Sequence, residues 1–561
     1  YYDQFINDNI YMQYSYNRQG QPVSVQFRND DTPQQNFDIE YEYDVFGRII
    51  NAYSGFQGQT TKDVLNNYDY YGKLTTKCLR PSVGGPCVLP MNFSYNIRNM
   101  IVNMDNPKFS YNLEYDLNSN IITQRWHNPY FDLPNQIPHV NQYDYFYDDM
   151  NRLIGGNYNY FEAQSDNLFD AIENQNNSNR GSYRQKYDVA YWYTDNGNFD
   201  YLRRFDDLDK LFSQEYAYSP GTNKIYGVMF IDDGHTNPVF YTHDAIGNLT
   251  TDPRSNIQSI DYDYFRNMPS SMQRGQVVSK FRYDTKGQRI VRTVDFDVNY
   301  YFDFVVMNNG EILRYTTPGG YATVNELGNL QKHYEIKDWL GTVRAIYDDN
   351  INLVSSRDHY PFGKIMPGRV YESDLEGRRY QFTGHENDWL TGYDYHGARY
   401  YNRDLARYIS VDQLAEESPS WTPFRYGYNN PIRFFDPMGL LESTHIDEEG
   451  NVIAEYDDGD DGVYVHSNGT TQEQVDQQRD DNENTGGDGN HIGEIGGVIK
   501  ANKIYTNTLE KNTSEAEGIY NPFTFKNNVK TNGKWDLKNN KKTIYGLAND
   551  GETKFSFKGE L

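Results

Sequence analysis

A short motif built around Tyr and Asp recurs along the first 300 residues, and it constrains the fold more than any other feature. Clear copies are Tyr43-Asp44-Val45-Phe46-Gly47-Arg48-Ile49 and Tyr68-Asp69-Tyr70-Tyr71-Gly72-Lys73-Leu74. The leading tyrosines of the copies are Tyr16, Tyr43, Tyr68, Tyr95, Tyr115, Tyr147, Tyr193, Tyr218, Tyr241, Tyr262 and Tyr283. Unrelated turns in a Tyr-rich chain would not produce eleven copies, so we interpret them as one structural repeat.

The physical chemistry of the motif predicts a β-hairpin. Asp or Asn starts a turn by accepting hydrogen bonds from the backbone that follows it, and Gly supplies the positive φ that such a turn needs. Apolar residues alternate with polar ones on both sides, as expected for strands. One hairpin cannot bury its own apolar face, whereas many hairpins can do so by sharing a continuous sheet.

Composition agrees with an all-β chain. Among 561 residues there are 53 Tyr, and the apolar fraction is only 37%. Tyr favours strands and packs its ring while its hydroxyl stays hydrogen-bonded, so we expect a shell of strands without a thick Leu/Ile core. The net charge of −27 argues against nucleic-acid binding by the shell and against an anionic membrane surface.

The termini and the cysteines limit the class further. No apolar run approaches the roughly 18–20 residues that a membrane span needs. The first residues, Tyr-Tyr-Asp-Gln, are neither a Met start nor a signal peptide, so we expect the chain to be part of a longer protein. Cys78 and Cys87 flank a Pro-Ser-Val-Gly-Gly-Pro loop. They are compatible with one disulfide or with two free thiols, and a metal site would need more ligands.

A second set of motifs follows the repeats. It comprises Tyr334–Arg344, the run His359-Tyr360-Pro361-Phe362-Gly363, and the stretch 380–440, which ends Asn429-Asn430-Pro431-Ile432-Arg433-Phe434-Phe435-Asp436-Pro437-Met438-Gly439-Leu440. With these motifs, the repeats resemble the YD repeats of the bacterial RHS (rearrangement hotspot) family. Residues 334–440 resemble its RHS repeat-associated core domain. This chain departs from the family pattern at Trp339, Thr342 and His385-Glu386.

The resemblance implies a domain organisation and a fold. Residues 1–300 would be YD repeats that spiral as a β-sheet around a cavity, a partial β-cocoon. Residues 301–440 would be the core domain, which curls inward and plugs one end. Family members use the cavity to hold an unfolded C-terminal polypeptide, commonly a toxin.

The run Asp436-Pro437-Met438-Gly439-Leu440 matches a family signature after which the core domain often cuts its own chain. That chemistry needs two neighbouring carboxyl groups, one protonated as an acid and one ionised to activate a water or the backbone. The candidates are Asp412 and Asp436, and the scissile bond would be Leu440–Leu441. Gln413 stands where the family often has Pro. The alternative is that Asp412 and Asp436 only open turns.

Other polar residues of the same stretch have structural interpretations. The spacing of His385, Glu386 and His396 does not match a metal-binding pattern. Arg399, Arg407 and Arg433 are expected to pair with carboxylates and to order the plug. Trp421 is expected to anchor the plug in the shell.

The residues after Leu440 differ in composition. Residues 441–500 hold 16 Asp/Glu against two Lys/Arg, which predicts a disordered acidic linker. Residues 501–561 hold ten Lys against seven Asp/Glu, and the run around Asn532-Gly533-Lys534-Trp535-Asp536-Leu537-Lys538 resembles the start of a type 44 polymorphic toxin domain. Such domains are expected to be nucleases or other hydrolases. Trp535, Asp536 and Lys538 are candidate toxin-site residues; core packing and a turn are the alternatives for Trp535 and Asp536.

Taken together, the sequence predicts a bacterial polymorphic-toxin scaffold, secreted or at the cell surface. Its β-shell would encapsulate its own C-terminal toxin segment as cargo, with an immunity protein and a secretion apparatus as further partners. No cofactor or metal site is predicted. The competing hypothesis, from another functional class, is a cell-surface adhesion or carbohydrate-binding β-repeat protein.

Overall fold

The structure, a computed structural model, describes residues 10–81, 86–132, 138–162, 186–232, 235–373 and 376–440, together with eight short strands after residue 440. Every described element is a β-strand or a 3₁₀ helix of three residues, which confirms the all-β prediction. Within these ranges no helix is long and apolar enough to cross a membrane.

The repeats from Tyr16 to Tyr218 form one sheet of 17 strands, and the last three repeats lie beyond it. Each strand pairs antiparallel with the next in sequence, so the sheet is a continuous meander. The strands are β1 Ile10–Tyr16, β2 Pro22–Asn29, β3 Phe37–Tyr43, β4 Ile49–Phe56, β5 Thr61–Tyr68, β6 Leu74–Pro81, β7 Cys87–Tyr95, β8 Ile101–Asp105, β9 Ser110–Tyr115, β10 Ile121–His127, β11 His139–Tyr147, β12 Leu153–Glu162, β13 Val189–Tyr193, β14 Phe199–Phe205, β15 Leu211–Tyr218, β16 Ile225–Asp232 and β17 His235–Phe240.

A second meander of 12 strands follows a two-stranded pair. The pair is β18 Thr242–His243 with β19 Leu249–Thr251, and the 12 strands are β20 Ile257–Asp263, β21 Met268–Arg274, β22 Val277–Tyr283, β23 Arg289–Val294, β24 Asp297–Phe302, β25 Val305–Asn308, β26 Glu311–Thr317, β27 Gly320–Val324, β28 Leu330–Lys337, β29 Val343–Asp348, β30 Leu353–His359 and β31 Ile365–Glu372. The predicted boundary between the repeats (1–300) and the core domain (301–440) falls inside β24. The last repeats and the first part of the predicted core domain therefore share this sheet.

Each position of the repeat has a local role, shown by the turn after Tyr43. Asp44 accepts hydrogen bonds from the backbone N–H of Phe46 at 2.9 Å and of Arg48 at 3.0 Å. Arg48 returns a side-chain bond to the Asp44 carboxylate at 2.7 Å. Gly47 has a φ of +82°, which L-residues with a Cβ rarely adopt. The Asp and Gly of the motif therefore build the turn.

The repeat tyrosine joins one hairpin to the hairpin before it. Its hydroxyl donates to a main-chain carbonyl just past the preceding turn, so each hairpin satisfies a backbone acceptor of its neighbour. The donor–acceptor pairs are Tyr43–Pro22 (2.7 Å), Tyr68–Ile49 (2.9 Å), Tyr95–Leu74 (3.0 Å), Tyr115–Ile101 (2.6 Å), Tyr147–Ile121 (2.6 Å), Tyr193–Leu153 (2.7 Å), Tyr218–Phe199 (2.7 Å), Tyr262–Leu249 (2.8 Å) and Tyr283–Pro269 (2.7 Å). We call this series the tyrosine ladder. Tyr241, which follows the last strand of the first sheet, has a buried hydroxyl without a partner among the described residues.

The two sheets pack against each other through an aromatic core. Phe37 of β3 stacks on Tyr315 of β26 with ring centroids 4.1 Å apart, and Phe304 packs against the same ring of Phe37. Lys332 of β28 forms a buried ion pair with Asp63 of β5 at 2.5 Å. Aromatic rings make up about half of the buried core residues, and Val, Ile, Leu, Met and Ala supply the rest.

Residues 380–440, which we call the plug segment, lie on the turns of the repeats. Asn430 donates to the Asn120 side chain at 3.0 Å and to the Asn151 carbonyl at 2.9 Å. Trp421 packs so closely on a later turn that a Cβ on Gly197 would lie 2.7 Å from its ring, which confirms its role as an anchor. The plug segment thus binds the repeats where successive turns come together.

The plug segment contains little regular structure of its own. Its sheet consists of β32 Glu386–Asn387, β33 Asp394–Tyr395, β34 Tyr400–Asn402 and β35 Arg407–Tyr408. In the described ranges the 3₁₀ helices are Pro33–Gln35, Pro129–Phe131, Pro361–Gly363, Glu376–Arg378, Phe382–Gly384, Ala415–Glu417 and Gly427–Asn429.

Cys78 and Cys87, on the neighbouring strands β6 and β7, form a disulfide with their Cα atoms 5.7 Å apart. The sequence is compatible with a disulfide or with two free thiols, and the structure shows the disulfide. It links two strands that also pair antiparallel through their backbones.

Strands also occur where the sequence predicts an acidic linker. One sheet is formed by β36 Ser443–Asp447, β37 Val452–Tyr456, β38 Gly462–His466 and β39 Asn490–Glu494. The acidic composition of residues 441–500 therefore does not prevent short strands from forming there. The acidic runs 457–461 and 480–484 lie outside the described residues. The last strands are β40 Lys530–Thr531, β41 Lys534–Asp536, β42 Lys541–Leu547 and β43 Lys554–Glu560.

Candidate functional site

Asp412 and Asp436, 24 residues apart in sequence, meet at one guanidinium group. Nη2 of Arg399 lies 2.9 Å from Oδ2 of Asp412 and 3.1 Å from Oδ2 of Asp436. All three side chains are at most 3% exposed. A single cation therefore holds two buried carboxyl groups side by side.

The Asp436 carboxyl group also accepts hydrogen bonds from the backbone of the residues that follow it. Oδ1 accepts the backbone N–H of Gly439 and, at 3.1 Å, that of Leu440, while Oδ2 accepts the Tyr408 hydroxyl at 2.6 Å. Burial raises the pKa of Asp436, Arg399 and the Tyr408 hydrogen bond oppose that rise, and the neighbouring Asp412 adds to it. The net effect is a raised pKa for Asp436, whose carboxyl group lies next to Leu440.

Asp412 keeps its position although Gln413 replaces the Pro that the family often has. The Asp412 N–H donates to the Pro423 carbonyl at 3.1 Å, and its Oδ1 accepts the Leu414 N–H at 2.9 Å. Gln413 points away and donates to the Arg266 carbonyl of a repeat turn at 2.9 Å. The substitution leaves the contact between Asp412 and Arg399 in place.

Four successive carbonyl oxygens just before Leu440 each accept a hydrogen bond. Those of Asp436 and Pro437 contact His396 Nδ1 at 3.2 Å and His385 Nε2 at 2.9 Å. Those of Met438 and Gly439 accept the Ala398 N–H at 2.8 Å and the Arg399 Nε–H. The plug segment thus recognises residues 436–439 by their main chain, and we call the donors the carbonyl cradle.

Two glycines permit this close approach. A Cβ on Gly439 would lie 2.9 Å from the His396 carbonyl oxygen and 3.1 Å from the Arg399 nitrogen. A Cβ on Gly397 would lie 3.1 Å from the Met438 carbonyl oxygen. Both residues have positive φ, +72° and +82°. The Gly of Asp-Pro-Met-Gly-Leu is therefore needed for space and for conformation.

The remaining polar residues of the plug segment take structural partners. Glu386 forms ion pairs with Arg289 and Arg379. In the described part of the chain no group of three or more His, Cys, Asp or Glu side chains is arranged to hold a metal ion.

The prediction that Arg407 and Arg433 pair with carboxylates is wrong. Arg407 donates to the Asn223 carbonyl at 3.1 Å and Arg433 to the Asn118 carbonyl at 2.8 Å. Both acceptors lie in turns of the repeats, whose main-chain oxygens face the plug segment. Arg399 does pair with carboxylates, as expected.

Sequence reasoning missed Tyr408 and Ala398 as members of the site. Ala398 contributes only its backbone, which leaves no trace in residue type. Tyr408 is one of many tyrosines, and only its place four residues before Asp412 offered a signal. Of the other candidates, Leu441 and Lys538 lie outside the described residues, as do the side chains of Trp535 and Asp536.

The chain matches no family model, but it is similar to parts of longer proteins. It is 28% identical over 233 residues to salivary gland surface protein 1 of Aedes aegypti, covering 36% of this chain and 7% of that protein. It is 27% identical over 213 residues to the tRNA3(Ser)-specific nuclease WapA of Bacillus spizizenii, with coverage of 35% and 9%. It is 31% identical over 117 residues to toxin subunit YenC1 of Yersinia entomophaga, with coverage of 20% and 12%.

The fold is similar to that of solved toxin-complex structures. TcdB2–TccC3 without its hypervariable C-terminal region superposes with a TM-score of 0.53 at 14% identity, covering 76% of this chain and 21% of that chain. The Tc holotoxin pore of Photorhabdus luminescens gives a TM-score of 0.51 at 14% identity, covering 76% and 23%. The likeness establishes a shared β-fold, and this chain spans less than a quarter of those chains.

Proposed function

We propose that this chain is the shell-forming part of a bacterial secreted toxin, which holds a C-terminal effector and cuts it free after Leu440. The observation that carries the proposal is that Asp412 and Asp436 share the Arg399 guanidinium, while Asp436 accepts the backbone N–H groups of Gly439 and Leu440. The similarity to WapA and YenC1, which bear the names of a nuclease and a toxin subunit, supports the same function.

The cut is a hydrolysis carried out by the carboxyl pair. The ionised Asp412 takes a proton from a water molecule, and the water oxygen attacks the carbonyl carbon of Leu440. Asp436 gives its proton to the amide nitrogen of residue 441, and the peptide bond breaks. The products are a carboxylate on Leu440 and an amine on residue 441, so one water is consumed and no cofactor is needed.

Encapsulation is the second part of the proposal. Support for it comes from contacts between the plug segment and repeat turns far apart in sequence: Arg433 donates to the Asn118 carbonyl at 2.8 Å, and the Asn267 side chain donates to the Val411 carbonyl at 2.8 Å. We infer that the chain continuing from Leu440 enters the space that these repeats surround. The disulfide between Cys78 and Cys87 fits a protein that works in an oxidising, extracellular compartment.

The cut is tested by expressing the full chain and separating it under denaturing conditions. The expected result is two fragments, residues 1–440 and 441–561, with masses that place the new ends at Leu440 and Leu441. Asp412→Asn and Asp436→Asn each leave one full-length band, whereas Asp195→Asn, a change at an exposed turn residue, leaves the cut intact. A single full-length band from the unaltered chain, fully folded, rules out self-cleavage.

Holding of the effector is tested separately by limited proteolysis of the native protein. Residues 441–561 are expected to resist a protease at concentrations that digest the same segment expressed alone. Immediate digestion within the intact protein contradicts encapsulation and leaves the cut itself untouched.

A further inference from the structure

Two imidazole rings lie parallel beside the proposed cut. The rings of His385 and His396 have centroids 3.7 Å apart and planes inclined by 7°. Each ring touches one carbonyl of the carbonyl cradle: His385 Nε2 that of Pro437 at 2.9 Å, and His396 Nδ1 that of Asp436 at 3.2 Å. These carbonyls belong to the two residues that open the Asp-Pro-Met-Gly-Leu run.

The partners fix where the protons reside. A carbonyl oxygen only accepts hydrogen bonds, so His385 carries its proton on Nε2 and His396 carries its proton on Nδ1. The other nitrogen of His385, Nδ1, lies 2.9 Å from the Thr383 hydroxyl, which donates to it. Both contacts of His385 are therefore satisfied by the neutral ring.

His396 connects the cradle to the carboxyl pair. Its Nδ1 also lies 3.2 Å from the Tyr408 oxygen, and the Tyr408 hydroxyl donates to Asp436 at 2.6 Å. His396 Nε2 is buried and has no partner among the described residues, so a proton added there would put an unpaired charge in the interior. The Nδ1–H contacts exist in both protonation states, so it is the burial of the unpartnered Nε2 that favours a neutral His396.

The surroundings favour the neutral rings. Burial lowers the pKa of His396 well below its ordinary value, helped by His385, Arg403 and Arg399. Burial also lowers the pKa of His385, and the charge of Arg403 lowers it further. The hydrogen bond to the Pro437 carbonyl and the charges of Asp394 and Asp436 raise this pKa, but the net shift is downward. The rings of Tyr401, Tyr408 and Tyr426 enclose His396 on its other sides.

We propose that His385 and His396 are positioning residues for the cut, which align the main chain of residues 436–437 only while both imidazoles are neutral. The inference rests on the proposed self-cleavage and adds a pH requirement to it. Because the pKa of His385 is lowered, the neutral pair persists below the ordinary titration range of His and is lost as the pH falls through the folded-state value. Asp436 limits the rate of the cut at higher pH, because its carboxyl group, whose pKa is raised, loses its proton as the pH rises.

The test is refolding of denatured, uncut full-length chain by dilution into buffers from about pH 3 to about pH 8, with the two fragments quantified over time. The unaltered chain is expected to give a bell-shaped rate profile. His385→Gln keeps an N–H donor for the Pro437 carbonyl but does not titrate, so it is expected to cut within about threefold of the normal rate and to have its acid limb moved to lower pH, where only His396 titrates. His385→Phe keeps the stacked ring without the donor and is expected to cut at least tenfold more slowly.

The control is His235→Phe, a change at an exposed position of β17, which is expected to leave rate and profile unchanged. A folded His385→Phe protein that cuts at the normal rate overturns the inference. If that variant fails to fold, the His385→Gln profile decides, because an acid limb with an unchanged midpoint overturns the inference as well. An unaltered chain that is cut at no pH refutes the proposed self-cleavage instead, so the two failures are distinguishable.

Discussion

The repeats and the plug segment both rely on contacts between Asp and Arg, but they use them in different numbers and environments. In the repeats, Asp44–Arg48, Asp148–Arg152 and Asp263–Arg266 repeat one partly exposed turn contact. In the plug segment, Arg399 with Asp412 and Asp436 occurs once and is buried. Repetition distributes stability over many equivalent contacts, whereas the unique contacts concentrate it where the chemistry is proposed.

The largest effect should separate the two kinds of arginine. Arg399→Met leaves two buried carboxylates without their cation, which is expected to lower the free energy of unfolding by about 3–5 kcal/mol. Arg48→Met removes one partly exposed pair and is expected to cost at most about 1 kcal/mol. Urea unfolding followed by Trp fluorescence measures both, and equal losses would mean that the plug segment is no more dependent on single contacts than the repeats.

The next effect concerns two glycines with positive φ. Gly20→Ala meets no atom within 4 Å, so only backbone strain of about 1–3 kcal/mol is expected. Gly439→Ala adds a clash with the His396 carbonyl and the Arg399 nitrogen, so it is expected to stop the cut as well. Fragment analysis on a denaturing gel compares them, and a cut Gly439→Ala protein would show that the cradle tolerates displacement of this residue.

A smaller effect is expected within the tyrosine ladder. Tyr147→Phe leaves the Ile121 carbonyl without its donor and is expected to lower the free energy of unfolding by about 1 kcal/mol. Tyr241→Phe removes a buried hydroxyl that has no partner among the described residues, so it is expected to be neutral or slightly stabilising. Denaturation curves of the two variants measure both changes in the free energy of unfolding. A larger decrease for Tyr241→Phe than for Tyr147→Phe would reveal a partner for the Tyr241 hydroxyl.

The smallest effect is expected at Met438. The residue is 41% exposed, and its backbone carbonyl is what contacts the cradle, so Met438→Ala and Met438→Gln should cut at the normal rate. A time course of fragment formation measures this. A slowing of tenfold or more by both changes would indicate that the side chain, and not only the main chain, is recognised.

Much of the fold follows from local sequence, because the repeat carries its own turn. Asp44, Gly47 and the alternating strands around them predict a hairpin, and eleven copies predict a shared sheet. The tyrosine ladder was not predicted, since the acceptor of each hydroxyl lies in the preceding repeat. The strands β36–β39 were not predicted either, because acidic runs dominate the composition around short apolar segments.

The candidate site could be predicted in part. The resemblance to a family motif selected Asp412 and Asp436, and the structure places them on one guanidinium; their role in cleavage stays a prediction. The partners that arrange the site, Ala398 and Tyr408, contact residues about 30 to 40 positions away. Such contacts depend on how the plug segment folds onto itself, which no local pattern encodes.

The carbonyl cradle also bears on how genes of this kind can change. Its four donors bind main-chain carbonyl oxygens, which every amino acid possesses. These contacts therefore place little restriction on which residues the gene encodes at positions 437 and 438, whereas Asp436 and Gly439 are needed for their side chain and conformation. A recombination point placed just after the codon for Leu440 would join a new downstream sequence to an unaltered recognition element. The geometry of one short stretch of backbone thus makes exchange of the following gene segment compatible with an intact site.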